Sequence, residues 1–180
     1  VEPENIAVLL EKCTRFLIDY TRAIKQTGVH GVIMAEPAAG LISNEDCILY
    51  STDYVRQIVD AVQDENFMVI LHNCGNSGHC TEAMVQSGAV GLHFGNKIDM
   101  ADALANCQED RLVMGNLDPV GLFKQASSEQ VYAETMTLLK NTSQWKNFVL
   151  STGCDVPPHI PSENIGAFYQ ALNDFNNRSV

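Results

Sequence analysis

Five short apolar segments alternate with segments of helical pattern, and this alternation constrains the fold more than any other feature of the sequence. The apolar segments are VHGVIMAEP, FMVILH, AVGLHFG, RLVMGNLDP and NFVLSTGC. Each is a continuous apolar run rather than an alternation of apolar and polar residues, which is typical of strands buried on both faces. The order therefore predicts an α/β fold, in which helices cover a parallel sheet.

A helical segment precedes the first strand. It is PENIAVLLEKCTRFLIDYTRAIKQTG, with a proline at its start and Gly28 at its end, as helix termini favour. The sequence SNED from Ser43 resembles a capping box and predicts a helix to about Gln63. Further helices are predicted from about Gly78 to Gln86, from near Asp99, over SSEQVYAETMTLLKN, and over PSENIGAFYQALNDF with Ser162 as N-cap. The chain is thus a helix followed by five βα units, and we expect residues 1–180 to form a single domain.

Two architectures fit this order of elements. One is a doubly wound open sheet, and the other is part of a (β/α)8 barrel. The absence of G-x-G-x-x-G after any predicted strand weakens the dinucleotide-binding version of the open sheet. A complete barrel needs about 250 residues, so 180 residues with five βα units would form only part of one.

Composition excludes several classes of function. The net charge of -11, without a basic stripe, argues against nucleic acid as a partner. The uncharged apolar runs are too short to cross a bilayer, and the N-terminus lacks the basic start of a signal peptide. Because no export signal accompanies the six cysteines, we expect reduced thiols in a cytoplasmic protein.

Polar side chains follow the predicted strands at their carboxyl ends. Parallel strands bring these ends to one edge of the sheet, where the sites of α/β proteins lie. The candidates are Glu36 after the first strand, His72 and Cys74 after the second, His93 and Asn96 after the third, Asn116 and Asp118 after the fourth, and Cys154 and Asp155 after the fifth.

His72 and Cys74 are candidate metal ligands. They lie two residues apart and share one face of an extended segment. Imidazole and thiolate are ligands that zinc favours. His79 with Cys80 would complete a closed structural site, whereas Cys154 would give three protein ligands and an open position, as catalytic zinc requires.

The spacing alone does not choose between these sets, and plainer roles exist for every candidate. His72 would then be a hydrogen-bonded, half-buried side chain, and Cys74 an inert thiol. Glu36 would cap a loop, while Asn116 and Asp118 would build a turn, as Asn and Asp-Pro commonly do.

Four segments together resemble the uroporphyrinogen decarboxylase superfamily. They are VHGVIMAEPAAGLIS, VILHNCGN, MGNLDP and STGCDVPPHIPSENI. The resemblance is closer to the cobamide-dependent, methylcobamide:coenzyme M type of methyltransferase, whose His-x-Cys…Cys zinc signature matches His72, Cys74 and Cys154. The decarboxylases differ, with a Gly-His-Gly-type stretch at the position of TGCDV and no His-x-Cys pair.

The resemblance implies an incomplete TIM-barrel-like (β/α)8 fold, made of an N-terminal helix and about five βα units from the C-terminal part of the barrel. It implies a zinc ion at the mouth of the barrel, held by His72, Cys74 and Cys154. It also implies an enzyme that transfers a methyl group from a methylated corrinoid to a thiol, which this zinc binds and activates. Glu36 is expected to be a fourth ligand or to orient substrate. Asn116 and Asp118 are expected to line the substrate pocket or to hydrogen-bond the ligands.

The expected partners follow from the same resemblance. They are a corrinoid protein that carries the methylcobamide and a small thiol acceptor such as coenzyme M. Exposed strand edges predict self-association as a homo-oligomer. Two alternatives remain at this point: a decarboxylase of tetrapyrrole side chains, disfavoured by the small number of basic residues, and a zinc-binding fragment without activity.

Overall fold

A computed structural model describes residues 2–75 and 78–178. Its strands are β1 (Gly31–Ala35), β2 (Met68–Asn73), β3 (Gly91–Phe94), β4 (Leu112–Leu117) and β5 (Phe148–Thr152). Its helices are α1 (Pro3–Lys25), α2 (Asn44–Cys47), α3 (Asp53–Val62), α4 (Thr81–Gln86), α5 (Met100–Ala105), α6 (Ser128–Thr142) and α7 (Ser162–Arg178). The strands form one sheet in chain order, and β1 pairs with β2, and β4 with β5, in parallel. The predicted parallel α/β architecture is confirmed.

Several helix boundaries differ from those predicted. The single helix expected from Ser43 to Gln63 consists of α2, a π-helical turn (Ile48–Thr52) and α3. The Ser43 side chain caps α2 by accepting a hydrogen bond from the backbone N–H of Asp46. Ser162, predicted to precede the last helix, is its first residue.

Two compact units make up the chain, Val1–Leu92 and His93–Val180. In the first unit, α3 buries one apolar face at helical spacing, formed by Val55, Ile58, Val59 and Val62. Helix α1 packs against α3. A second buried cluster lies beneath α2 and α4 and contains Ala39, Cys47, Cys80 and Ala83.

The second unit is organised around the packing of α6 against α7. Its core includes Leu117, Phe123, Val131 and Ala167. The buried Asn164 side chain in α7 donates to the carbonyls of Phe123 (2.9 Å) and Ala126 (3.0 Å). These bonds fix the start of α7 to the loop that precedes α6. No helix within the described parts of the chain is both long and apolar enough to cross a membrane.

Strand β1 departs from the expectation that both faces of the sheet are covered. Ile33, at the middle of β1, is 65% exposed. The strand is first in the sheet order, so β2 is its neighbour on one side only. Strands β2, β3 and β4 are largely buried, as continuous apolar runs predict. Ile33 therefore lies on a face of β1 that the described helices leave open.

Candidate metal centre

The register of the first two strands brings their carboxyl ends side by side. Ala35 of β1 lies opposite His72 of β2. The next backbone N–H, that of Glu36, donates to the carbonyl of His72 at 2.9 Å. Strand-end residues that are far apart in sequence are therefore neighbours in the first unit.

His72 and Cys74 lie at the end of β2. His72 is the fifth residue of the strand and is 7% exposed. Cys74 follows the last strand residue and is partly buried. The His72 side chain is thus almost fully shielded from solvent.

In the second unit, Cys154 follows β5, and local hydrogen bonds fix its backbone. The N–H of Gly153 donates to the carbonyl of Leu117 at 2.7 Å, and the hydroxyl of Thr152 donates to the carbonyl of Cys154 at 2.8 Å. A Cβ atom at residue 153 would lie 2.4 Å from the backbone nitrogen of Asn96. Glycine is required here because another backbone segment approaches so closely.

The ligand atoms of His72, Cys74 and Cys154 all lie within 4.8 Å of one another. One imidazole nitrogen and two sulfur atoms form a donor set that fits zinc, since zinc prefers tetrahedral nitrogen and sulfur coordination. Calcium and magnesium fit poorly, because they take oxygen ligands. Because zinc is usually four-coordinate, three protein ligands would leave one position for another group.

His79 and Cys80 do not belong to this group of ligand atoms. The Nε2 atom of His79 lies 3.0 Å from the carbonyl oxygen of Ile42. The Cys80 thiol is fully buried and donates to the carbonyls of Ala39 (3.5 Å) and Ile42 (3.6 Å). These contacts favour a packing role for the buried Cys80 and a backbone hydrogen bond for the exposed His79.

Glu36 faces the π-helical turn of the first unit. The hydroxyl of Ser51 donates a short hydrogen bond to its carboxylate. Burial raises the pKa of the Glu36 carboxyl, and the Ser51 hydrogen bond partly offsets that increase. Glu36 is not part of the group of three ligand atoms.

Asn116 and Asp118 hold the backbone around the end of β4. The Asn116 amide donates to the carbonyls of Gly95 (3.0 Å) and Ile98 (2.7 Å), which fixes the loop after β3. One carboxylate oxygen of Asp118 accepts from the N–H groups of Val120 and Gly121, both at 2.9 Å. Both side chains thus have structural partners.

Asn116 and Asp118 also line a cavity of about 600 Å³ in the second unit. Asp99, Gln130 and Glu134 are among its other lining residues, and none of the lining residues is Lys or Arg. A cavity with several carboxylates and without a cation is poorly suited to a ligand that carries many carboxylates.

Sequence reasoning missed several residues that shape these strand ends. Ser51 lies fifteen positions after Glu36, and no local motif connects the two. The hydroxyl of Ser151 lies 3.0 Å from Nε2 of His93, a contact between β5 and β3. The close backbone approach at Gly153 could have been predicted from the sequence, because a glycine directly after a strand often marks such an approach.

The fold and the residues at these strand ends together define the structural class of the chain. The chain has the βα architecture of barrel enzymes, with candidate functional groups at the carboxyl ends of parallel strands. It is similar in fold to the solved structure of a methyltransferase from Methanosarcina mazei, with a TM-score of 0.80 and 24% sequence identity. That match covers 91% of this chain and 47% of the methyltransferase.

The family model for uroporphyrinogen decarboxylase (URO-D) matches residues 1–175, and the chain belongs to this family. The chain is 28% identical over 174 residues to the methylcobamide:CoM methyltransferase MtbA of Methanosarcina acetivorans, a match that covers 96% of the chain and 50% of that relative. It is 30% identical over 176 residues to the uroporphyrinogen decarboxylase of Serratia proteamaculans, covering 96% and 49%. The chain thus spans about half the length of the curated relatives it matches, and it corresponds to their C-terminal portion. These relatives are enzymes of two kinds, methyltransferases and decarboxylases.

Proposed function

We propose that this chain is the metal-binding portion of a zinc-dependent methyltransferase, which moves a methyl group from a protein-bound corrinoid to a small thiol such as coenzyme M. The single observation that carries the proposal is the set of one nitrogen and two sulfur ligand atoms within 4.8 Å, provided by His72, Cys74 and Cys154. The similarity to the methylcobamide:CoM methyltransferases of two Methanosarcina species supports the same reaction.

The three proposed ligands suit thiol chemistry. A zinc ion bound there would hold an acceptor thiol in its deprotonated form near neutral pH, and the thiolate is the nucleophilic form. His72 is buried in the first unit, and Thr152 and Gly153 hold the Cys154 backbone in the second unit, so we propose that each of these ligands needs little rearrangement when metal and substrate bind. Such preorganisation lowers the cost of forming the reactive geometry.

The proposed reaction is a transfer of one methyl group in a single displacement. A sulfur–carbon bond forms at the acceptor, and the cobalt–carbon bond of the methylated corrinoid breaks. The bonding electron pair stays on cobalt, and the thiol proton passes to solvent. No external oxidant or reductant is required.

We propose supporting roles for three further residues. Glu36, next to His72 across the β1–β2 pair, orients substrate or approaches the metal as a fourth ligand after leaving Ser51. Asn116 and Asp118 support the loops around the end of β4 and line the neighbouring cavity.

A corrinoid is large, so we propose that it arrives on a separate corrinoid protein. A cytoplasmic setting, where thiols stay reduced, belongs to the same proposal.

The direct test is thiol-dependent demethylation of free methylcobalamin. The purified chain is loaded with zinc and mixed under anaerobic conditions with methylcobalamin and coenzyme M. Loss of the methylcobalamin absorbance and formation of methylated coenzyme M, detected by mass spectrometry, are the expected results. The Cys74→Ala variant should lose more than about a hundredfold in rate, beyond the loss usual for residues that only support a ligand. Cys107→Ala, which alters a thiol outside the ligand group, serves as the control.

The second candidate is a tetrapyrrole decarboxylase, which the similarity to the Serratia enzyme favours. It predicts carbon dioxide release from uroporphyrinogen and no dependence on Cys74. Zinc binding without either activity would instead indicate a metal-binding fragment that is inactive by itself. The same preparation, assayed with both substrates, distinguishes the three outcomes.

A further inference from the structure

The cavity of about 600 Å³ in the second unit lies between α5, the loop after β4 and α6. Its volume is within the range of pockets that hold small molecules, about 300–1,000 Å³. Apolar side chains form much of its wall, namely those of Ile98, Met100, Leu117, Leu122 and Leu138. The charged residues of the wall are all acidic: Asp99, Asp118 and Glu134. The charge of the wall therefore favours a cation.

Asn116 contributes a positioned hydrogen-bond acceptor to this wall. The residue is only 8% exposed, and its amide nitrogen donates to the carbonyls of Gly95 and Ile98. Both amide hydrogens are thus used, whereas no described residue donates to its Oδ1 atom. Because the two bonds fix the orientation of the amide, Oδ1 is held as an acceptor for a ligand that donates.

Asp118 likewise uses one oxygen for the fold and leaves the other open. Its Oδ1 atom accepts from the N–H groups of Val120 and Gly121, and no described residue donates to Oδ2. A Cβ atom at residue 121 would lie 2.8 Å from Oδ2, so the glycine leaves this oxygen uncovered. The carboxylate is half-buried, and a charge in such surroundings attracts a cation more strongly than an exposed one.

The hydroxyl groups of the wall also present acceptors. Thr137 and Thr142 each donate to the carbonyl four residues earlier in α6, at 2.9 and 2.8 Å. A hydroxyl has one hydrogen, so only its lone pairs remain for a ligand. Gln130 and Asn141 carry the amide donors of the wall that lie outside such bonds. The polar part of the cavity therefore suits a ligand rich in N–H donors.

The three carboxylates lie too far apart to bind one metal ion together. Among the described residues, the only three ligand atoms within 4.8 Å of one another are those of the candidate metal centre. Asp118 is half-buried, whereas Asp99 and Glu134 are exposed. Asp99 already caps α5, but no described residue donates to the Glu134 carboxylate. This arrangement suits a ligand with positive charge at two points and an apolar body.

We propose that the cavity binds an alkane that carries a primary ammonium group at each end. The inner ammonium donates to Oδ1 of Asn116 and Oδ2 of Asp118, since a primary ammonium has three N–H donors. The hydrocarbon chain lies on the apolar wall, and the outer ammonium pairs with Glu134. This inference is independent of the proposed methyl transfer, because none of the three proposed metal ligands lines the cavity.

The test is isothermal titration of the full 180-residue chain with 1,4-diaminobutane at pH 7 and low ionic strength. We expect one diamine per chain and weaker binding of 1-aminobutane, which lacks the second charge. Asp118→Asn should weaken diamine binding about tenfold, because it removes the half-buried charge and keeps an oxygen for the loop. Glu134→Gln should weaken it about threefold, as expected for an exposed ion pair.

Glu129→Gln is the matched control. Glu129 lies on the same helix as Glu134 but does not line the cavity, so the two variants change the net charge equally. Glu129→Gln should change the affinity by less than about twofold. Circular dichroism should show that all three variants are folded.

Three results would overturn the proposal. The first is absence of diamine binding to the wild-type chain. The second is an equal loss of affinity in Glu129→Gln and Glu134→Gln, because net charge alone would then attract the amine. The third is binding that Cys154→Ala abolishes while Asp118→Asn leaves it unchanged, because the amine would then coordinate a metal ion.

Discussion

At the scale of single residues, burial separates the cysteines of this chain into chemically different groups. Cys47 and Cys80 are buried next to each other in the first unit, whereas Cys13 on α1 is exposed. Burial, followed by the proximity of Cys80 and Glu36, raises the pKa of the Cys47 thiol from 9.0 to about 12. Burial also raises the pKa of Cys80. Both thiols are therefore held in the neutral, unreactive form.

We predict that Cys47 resists alkylation in the folded protein at pH 8, while Cys13 reacts readily. With a pKa of about 12, only about one Cys47 thiol in ten thousand is ionised at pH 8. Iodoacetamide labelling followed by peptide mass spectrometry measures both sites in one sample. Equal labelling rates at the two sites, in protein that circular dichroism shows to be folded, would disprove the prediction.

The raised pKa of Cys47 also predicts how the free energy of unfolding of the chain changes with pH. The pKa of Cys47 is higher in the folded chain than in the unfolded chain, so the folded chain retains the proton longer. The contribution of this thiol to the free energy of unfolding is therefore fully present below about pH 9 and is lost as pH rises towards 12. Urea unfolding of wild type and Cys47→Ala from pH 7 to pH 10 checks the sign. The difference in stability between them should shrink as pH rises.

Gly153 is a second residue whose surroundings fix its identity. Alanine there would place its Cβ 2.4 Å from the Asn96 nitrogen, so Gly153→Ala should lower the free energy of unfolding by about 1–3 kcal/mol. Gly166→Ala is the matched control, because Gly166 lies within α7 with open space around its Cβ position. It should raise stability by about 0.5–1 kcal/mol. Urea denaturation measures both, and a neutral Gly153→Ala would contradict the close approach.

At the same scale, strand-end residues were predictable and their partners were not. Glu36, His72 and Cys154 stand out because each follows an apolar run, and parallel strands collect such residues at one edge. The Ser51 hydroxyl that binds Glu36 and the two carbonyls that hold the Asn116 amide depend on contacts between distant segments. Local pattern carries no information on these contacts.

At the scale of elements, strands were predicted more accurately than helix starts. Four of the five predicted apolar runs contain their observed strand, and the run FMVILH stops one residue short of the end of β2 at Asn73, since burial on both faces gives a continuous signal. The helix expected from about Gly78 begins at Thr81, and the helix predicted from Ser43 is interrupted by the π-helical turn. The residue at which a helix begins depends on capping side chains and on irregular single turns. Because several neighbouring short polar residues can act as the cap, the sequence pattern alone does not fix this boundary.

Helix α6 begins with a reciprocal capping box. The Ser127 side chain accepts from the N–H of Gln130, and the Gln130 side chain accepts from the N–H of Ser127. Ser127→Ala should lower the free energy of unfolding by about 1 kcal/mol, because two backbone N–H groups depend on this reciprocal arrangement. Ser128→Ala, at the first residue of the helix, should have a smaller effect. Thermal or urea unfolding measures both, and an equal loss would show that the cap contributes little.

At the scale of the whole molecule, the proposed function requires residues that follow separate strands to bind one metal ion. The parallel sheet order is confirmed, the chain belongs to the URO-D family, and it spans about half the length of the curated relatives it matches. The zinc site remains a proposal, supported by the proximity of one imidazole and two thiols. If these three side chains bind one ion, losing any one of them should remove most of the metal.

The most direct measurement is elemental analysis of the purified chain, prepared without chelator, beside Cys154→Ala and Cys107→Ala. We expect about one zinc per chain in wild type and in Cys107→Ala, and a sharp loss in Cys154→Ala, because Cys154 follows a different strand from His72 and Cys74. Full zinc content in Cys154→Ala would indicate a local site near β2. Absence of zinc from wild type after reconstitution would contradict the proposed thiol activation.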